Sequence, residues 1–472
     1  MNRCLFRDVL DSTGAVLVRG GPGALERAVE GLSTDSRTLE PGQLFLALRG
    51  PNFEGNRFAA AAASAGAAGL LLEQGISLDL AALPADLPVA VHANPRRALA
   101  DLAAWYRSTL SIPVIGITGS CGKTTTKNIL RDLLQRLQPV VASPNSFNND
   151  IGVPHTLLLA NRDTRYLVVE MGTNHPGEIA ALCRIARPSA GIVTNVGASH
   201  LEGLGSVDGV AREKGDLVAS LPKEGCSVLN ADCRFTPLLR ARTSARVITF
   251  SVGGAASGAR GDLDATDILF HSGGTTFRLN GHEVTSPLLG THNVQNLLAA
   301  LAACVGLSIP LEDVLPGVSS LSGARQRMER FDFGGLTVFD DSYNANPESM
   351  RAAVRVLSGL HGHRRRILVL GDMLELGELA AELHHELGRE AAAAGIDRIV
   401  LVGELSKAAA AGALEGGLQS EAVVHVDDAA EAAGVLDATA REGDVILVKG
   451  SRRMRLEEVV RALCERRGGR KG

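Results

Sequence analysis

The sequence predicts an α/β protein of two or three domains, and three observations carry that prediction. At 472 residues the chain exceeds one ordinary core. Its hydrophobic content is 45% but its aromatic content only 3%, which suits layers built from Ala, Val and Leu. Short apolar strands also alternate with helical patterns, in a rhythm that starts near residue 112 and restarts after 321. Such βα alternation gives a mostly parallel sheet covered on both faces.

The elements follow in chain order. Up to about residue 94, strand signals at 44–48, 70–72 and 89–92 surround an alanine-rich helix at 58–68. Pro95 opens a helical pattern that ends near 110. Then come a strand at 114–118, a helix from Gly122, a strand at 166–170, a helix from Pro176, and strands at 191–196 and 227–230. The Gly/Ala/Ser stretch 253–261 reads as a loop before a hairpin pattern at 268–279, and 292–307 reads as a helix. Further strands are predicted at 337–339, 366–370, 398–402, 423–426 and 445–448, separated by helices, which makes a second doubly wound unit. Residues 468–472 read as a solvated tail. The expected divisions are 1–94, 95–322 and 323–472.

Composition narrows the function classes. A net charge of −4 offers no basic field for a nucleic-acid backbone. No uninterrupted apolar run is long enough to span a membrane, and the first residues meet acid before any signal-peptide core. The seven cysteines are odd in number and lack CxxC spacing, so reduced thiols in cytoplasm are expected; a monomer is expected separately. Positive charge is carried mainly by arginine. A chain with this bias keeps lysine where a compact or deprotonatable amine is needed, which draws attention to Lys123, Lys214 and Lys449.

The chemistry concentrates at strand ends. Val114-Ile115-Gly116-Ile117-Thr118 runs into Gly119-Ser120-Cys121-Gly122-Lys123-Thr124-Thr125, a glycine turn that opens a helix. Backbone N–H groups at such a junction cradle phosphate, Lys123 can reach the outer phosphates, and Thr124 can bind Mg²⁺. The glycine spacing is not that of a strict Walker A motif, since Ile117 stands where the first glycine would be, and it also departs from GxGxxG. Glu170 ends the next strand, where ligands of open α/β sheets sit, and so falls near the nucleotide's metal. His200 follows the strand after that, where a neutral imidazole can coordinate or orient a second cation. Lys214 lies on a helix. Asn145, Asn148 and Asn149 crowd one loop, and Asp341, Asn344 and Asn346 crowd another that follows the first strand of the last unit.

At these residues the sequence resembles the Mur ligase family, ATP-dependent amide-forming enzymes of peptidoglycan synthesis. The family's Thr-Gly-x-x-Gly-Lys-Thr pattern is met by Thr118 through Thr124, and its Glu, His and Lys elements by Glu170, His200 and Lys214. Its His-Asn-x-x-Asn helix motif matches His292, Asn293 and Asn296. Its interdomain arginine matches Arg327, with Arg325 as the alternative. Ser33, Asp35 and Arg37, with the run 52–58, resemble its uridine-nucleotide segments, although the usual Asp-Gly-His reads Glu54-Gly55-Asn56.

The resemblance implies three domains: a uridine-nucleotide substrate domain, a central ATPase domain, and a Rossmann-like domain that binds the incoming amine. It implies ATP, two Mg²⁺ ions, and a carbamylated Lys214 as an oxygen ligand for metal. Asn293 and Asn296 would border adenine, Asp341 the ribose, and Arg327 phosphate. The runs 341–347, 145–154, 371–377 and 449–452 point within the family to UDP-N-acetylmuramoyl-tripeptide as acceptor and D-alanyl-D-alanine as amine. Asn145, Asn148, Asn149, Asn344, Asn346 and Lys449 would then be substrate contacts. A sibling adding one amino acid, a folylpolyglutamate synthase-like ligase, and a nucleotide-gated binding module are the rival readings. The sibling's usual Asp-Asn-Pro-Arg is absent from the chain.

Overall fold

A computed structural model of the chain describes residues 1–50, 53–75, 83–253, 260–271, 274–323 and 325–468. Asn52, most of the loop expected at 253–261 and the tail beyond 468 lie outside the described residues. Three large sheets organise the rest. The first has the strand order Val16–Arg19, Val89–His92, Gly69–Glu73, Leu44–Leu46, Leu32–Ser33, antiparallel only at its first pairing.

The central sheet has nine strands. Val140–Ala142, Tyr166–Glu170, Val114–Thr118, Ala190–Val193, Cys226–Asn230, Arg246–Val252 and Leu263–His271 run parallel. Gly274–Leu279 and His282–Ser286 close it antiparallel. A bulge between Thr266 and Leu269 bends the hairpin expected at 268–279, which starts earlier and gains a third strand. Helices Lys123–Gln135 and Thr291–Gly306 share one face through Leu130, Leu133, Leu297 and Leu301. Helices Pro95–Ser108, Glu178–Ala186 and Val207–Ala219 pack the other through Leu99, Leu102, Ile179 and Leu217. With both faces covered, the middle strands are near-continuous apolar runs, and each fully buried Leu or Ile contributes about 1.5–3 kcal/mol. Tyr106 fixes the helix Pro95–Ser108 by donating its hydroxyl to the Ala160 carbonyl at 2.7 Å.

The third sheet runs Glu329–Phe333, Leu336–Asp340, Val445–Lys449, Arg366–Gly371, Arg398–Val402, Val423–Val426, parallel after its first pair. Several elements are shorter than the sequence suggests. The helix expected over 58–68 spans Ala59–Ser64 after a short 3₁₀ turn, and the strand expected over 191–196 stops at Val193. The helix expected from Pro176 starts at Glu178, because Gly177 takes the left-handed cap at φ +86° and donates its N–H to Glu213.

This topology sets the site. In the central register Ile117 pairs with Glu170, and Thr118 pairs with Val193. The turn after Thr118, the carboxylate of Glu170 and the loop after Val193 therefore emerge side by side at the carboxyl edge of the sheet.

Candidate active site

The phosphate loop is shaped by what crowds it. Gly122, the left-handed cap of helix Lys123–Gln135 at φ +81°, has no room for a side chain, because a Cβ there would lie 2.1 Å from Asn296 Oδ1. A Cβ on Gly119 would lie 1.9 Å from Thr194 Oγ1. Asn195 takes the Ser120 N–H on its carbonyl at 3.2 Å and the Cys121 N–H on its Oδ1 at 3.0 Å. Lys123 curls back to donate to the Gly119 carbonyl at 2.8 Å. Burial pushes the Lys123 ammonium below its ordinary pKa, with Glu170 opposing the shift and Arg327 adding to it. Thr125 also lines the cavity beside the loop.

Glu170 is 1% exposed, yet its carboxylate faces a cavity of about 810 Å³. Its N–H donates to Ser143 Oγ at 3.0 Å, and its Oε1 accepts from Asn148 Nδ2 at 2.9 Å. Oε2 has no hydrogen-bond partner and sits 3.7 Å from Lys127 Nζ. Among the described residues, no cluster of three or more His, Cys, Asp or Glu side chains could enclose an ion. An orphaned carboxylate oxygen and the Thr124 hydroxyl fit a cation that keeps water and shares phosphate oxygens, as Mg²⁺ does.

His200 sits at φ +51° with its Nδ1 2.8 Å from Glu375 Oε2, although without hydrogen-bond geometry. Glu375 is itself left-handed at φ +64°, so two strained residues meet across the domain seam. Burial lowers the His200 pKa, reinforced by Lys123 and Lys214 and opposed by Glu375. Lys214 is 1% exposed, within helix Val207–Ala219. Burial and the neighbouring Lys123 hold its amine well below the ordinary lysine range, against Glu213, Cys121 and Glu348. Glu213, beside it in sequence, is fully engaged as the acceptor for Gly177 N–H, Ile179 N–H and Thr173 Oγ1.

The third sheet brings its own residues to the loop. Arg327 Nη2 donates to Thr124 Oγ1 at 3.1 Å, and its guanidinium lies 4.3 Å from the centre of the Tyr343 ring. Asn346 caps helix Pro347–Gly359 and donates its Nδ2 to the Ser120 carbonyl at 3.2 Å. Asp341 accepts from Met328 N–H at 3.2 Å and pairs with Lys449 at 2.7 Å, and Lys449 also donates to the Asn344 carbonyl at 2.9 Å. Glu348 accepts from Asn195 Nδ2 at 3.3 Å. On helix Thr291–Gly306, Asn296 donates to Asn293 Oδ1 at 3.2 Å and accepts from Thr126 Oγ1 at 3.3 Å.

One cavity therefore gathers Lys123, Thr124, Glu170, His200, Asn293, Asn296, Arg327, Asp341, Asn344, Asn346 and Lys449. Asn148 and Asn149 line it too, although Asn149 Oδ1 is used to accept Gly152 N–H at the start of a helix. Asn145 and Lys214 do not line it. Ser33, Asp35 and Arg37 do not line it; Ser33 ends a strand of the first sheet, and in the turn that follows, Arg37 Nη2 donates to Asp35 Oδ2 at 2.7 Å. That pairing holds the Asp35 carboxyl at about 2. Asn56 is engaged in bracing the backbone of Glu73. Sequence reasoning missed Lys127, Glu213, Glu348 and Glu375. Lys127 carried a signal, being one of few lysines and one helical turn beyond Lys123.

The chain is similar to known proteins along nearly its whole length. Residues 28–107 match the Mur ligase family, catalytic domain; residues 117–304 match the Mur ligase middle domain; and residues 326–452 match the Mur ligase, glutamate ligase domain. The UDP-N-acetylmuramoyl-tripeptide–D-alanyl-D-alanine ligase of Escherichia coli is 38% identical over 93% of this chain and 94% of its own. The Bacillus subtilis enzyme of the same name is 36% identical over 96% and 97%. The crystal structure of MurF from Acinetobacter baumannii superposes with a TM-score of 0.87 at 32% identity, covering 98% of this chain and 99% of that one. MurF from Thermotoga maritima, solved with ADP, gives 0.79 at 26% identity, covering 92% and 97%.

Proposed function

The chain belongs to the Mur ligase family, and on that premise we propose that it joins D-alanyl-D-alanine to UDP-N-acetylmuramoyl-tripeptide with ATP, releasing ADP and phosphate. The observation that carries the reading is the reach of Arg327, from beyond the central sheet, to Thr124 in the phosphate loop. It makes one cavity of the nucleotide site and the C-terminal unit.

The tripeptide's terminal carboxylate attacks the γ-phosphorus, the bond to the β-bridging oxygen breaks, and ADP leaves. The dipeptide amine then attacks the acyl carbon, phosphate departs, and the amine gives up its proton. Bringing two anions together needs neutralised charge and in-line alignment. Lys123 supplies charge at the outer phosphates and Arg327 supplies it when the C-terminal unit is seated. Asn293 and Asn296 flank the adenine and Asp341 the ribose. The amides of Asn145, Asn148, Asn149, Asn344 and Asn346, with Lys449, orient the peptide substrates, while Ser33, Asp35 and Arg37 hold the uridine nucleotide. Bound magnesium would neutralise phosphate charge, held by Thr124 and Glu170 at one position and by His200 and Lys214 at a second.

An amine as buried as Lys214 favours its neutral form, the form that adds to CO₂ and becomes a carbamate. Arginine stays protonated and cannot make that adduct. Lys214→Arg is therefore expected to lose nearly all ligation, measured as dipeptide-dependent ADP release; substantial turnover would sink the carbamate role. Lys123→Ala is expected to abolish ATP-dependent phosphate release.

The domain divisions 1–94, 95–322 and 323–472 and a cytoplasmic location complete the reading, alongside the finding that no described helix is long and apolar enough to cross a membrane. The deciding experiment measures ADP release across a small panel of acceptors and amines. Release that requires both UDP-N-acetylmuramoyl-tripeptide and D-alanyl-D-alanine supports the proposal. Release with a free amino acid in place of the dipeptide would assign the chain to a sibling reaction.

A further inference from the structure

Lys127 lies one helical turn beyond Lys123 and is 1% exposed, but it does not line the cavity. Lysines are almost never fully buried without partners. Here the ammonium donates to the Ser143 carbonyl at 2.8 Å and to the Asn145 carbonyl, and it faces Glu170 Oε2 at 3.7 Å. A compact ammonium donates to two carbonyls and sets its charge beside a carboxylate oxygen, a task for which a planar guanidinium is the wrong shape.

Those oxygens belong to one assembly. Ser143 also accepts the Glu170 N–H on its hydroxyl, and Asn148, further along the same loop, donates to Glu170 Oε1. Lys127 thus pins both the loop that carries Asn148 and the carboxylate that Asn148 grips. The direction of the Glu170 carboxylate is thus set from Asn148 on one oxygen and from the buried Lys127 beside the other. On the far side of the loop, the Ser146 hydroxyl meets the Tyr343 hydroxyl, so the loop clamped by Lys127 is also one that the C-terminal unit presses on.

We propose that Lys127 is a positioning residue for the ligase reaction, clamping the 143–150 loop onto Glu170 so that Oε2 is presented to the magnesium carried by the nucleotide. This rests on the reading of Glu170 as a metal contact given above. Lys127 acts through Glu170 and through the loop, and its removal should weaken the metal's contribution to nucleotide binding before it weakens the binding of nucleotide itself.

The test measures ADP affinity by calorimetry with and without Mg²⁺, in the parent and in Lys127→Met, Lys127→Gln, Asn148→Ala and Glu170→Gln. The parent should bind ADP more tightly with Mg²⁺. Lys127→Met is expected to lose at least about fivefold of that gain, while metal-free ADP affinity stays within about twofold. In turnover assays its lost kcat should recover as Mg²⁺ is raised. Asn148→Ala should reproduce the effect, and the double variant should be little worse than the poorer single one, since both act on one carboxylate. Lys127→Gln keeps donors for the carbonyls without the charge, so it serves as the test if Lys127→Met fails to fold, and it should still lose part of the gain.

An unchanged Mg²⁺ gain in both Lys127 variants, with the gain lost in Glu170→Gln, overturns this inference alone. An unchanged gain in Glu170→Gln instead overturns the reading of Glu170 on which it rests. Equal loss of metal-free and Mg²⁺-dependent binding in both Lys127 variants would reduce Lys127 to a structural residue and likewise overturn the proposal.

Discussion

At the scale of one residue, His292 shows how surroundings reset an ordinary side chain. Burial drives its imidazole down to about 4, with Asp341 opposing and Lys449 and Arg355 reinforcing the shift. An imidazole in the unfolded chain titrates near 6.5. Between those values the unfolded chain binds the proton and the folded one does not. The contribution of His292 is therefore whole above about pH 6.5 and is lost as the pH falls towards 4. His292→Gln should accordingly flatten the pH dependence of stability in that window, read from urea unfolding at several pH values. Parallel curves for the two proteins would refute the assignment. Lys123, Glu170 and His200 stood out in the sequence because strand ends and a glycine turn announce them, and Lys214, on a helix, stood out only through the scarcity of lysine and the family resemblance. The ones missed depend on partners remote in the chain. Glu213 serves Gly177 across 36 positions, and Glu348 meets Asn195 across 153. No local pattern encodes such meetings.

Elements were read best where they are buried and bounded by turn residues. Tyr166–Glu170 and Arg398–Val402, buried beyond their first residue, match their expected limits, and so does the half-buried Val423–Val426. The edge strand Val16–Arg19 escaped, because its residues are largely exposed and pair only with Val89–His92. Glu329–Phe333 escaped because charge alternates with its phenylalanines. Gly334 and Gly335, at φ +55° and +74°, form the kind of two-residue turn that could have revealed that hairpin. The junction of strand and phosphate-loop helix carries its own prediction. In Gly122→Ala the new Cβ meets Asn296 Oδ1, and a left-handed alanine costs about 1–2 kcal/mol in addition. Asn296 must move, and with it the Asn293–Asn296 ladder. ADP affinity should fall by about tenfold or more, measured by calorimetry. Binding equal to the parent's would mean that this close approach does not shape the nucleotide site.

At the scale of the molecule, the central sheet supplies the loop and the C-terminal unit grips it. Arg327 meets Thr124, Asn346 meets Ser120, Tyr343 meets Ser146, Glu348 meets Asn195, and Glu375 meets His200. An acyl phosphate needs such a seam to exclude water, and a seam that opens and closes sets turnover in many enzymes. Gly197 is where it can be tested without replacing a charged group. A Cβ there would lie 1.8 Å from Glu348 Oε1, so Gly197→Ala must expel the carboxylate from the loop. Glu348 stands in the first turn of helix Pro347–Gly359, next to Asn346, and its displacement pulls at the Asn346–Ser120 contact as well. The variant should ligate about tenfold more slowly, with a larger radius of gyration by small-angle scattering. Adding Glu348→Ala removes the obstructing carboxylate and should recover most of the rate and the compact scattering profile. If the single variant stays compact and fast, or the double variant gains nothing, then the grip on the loop is not what holds the C-terminal unit in place.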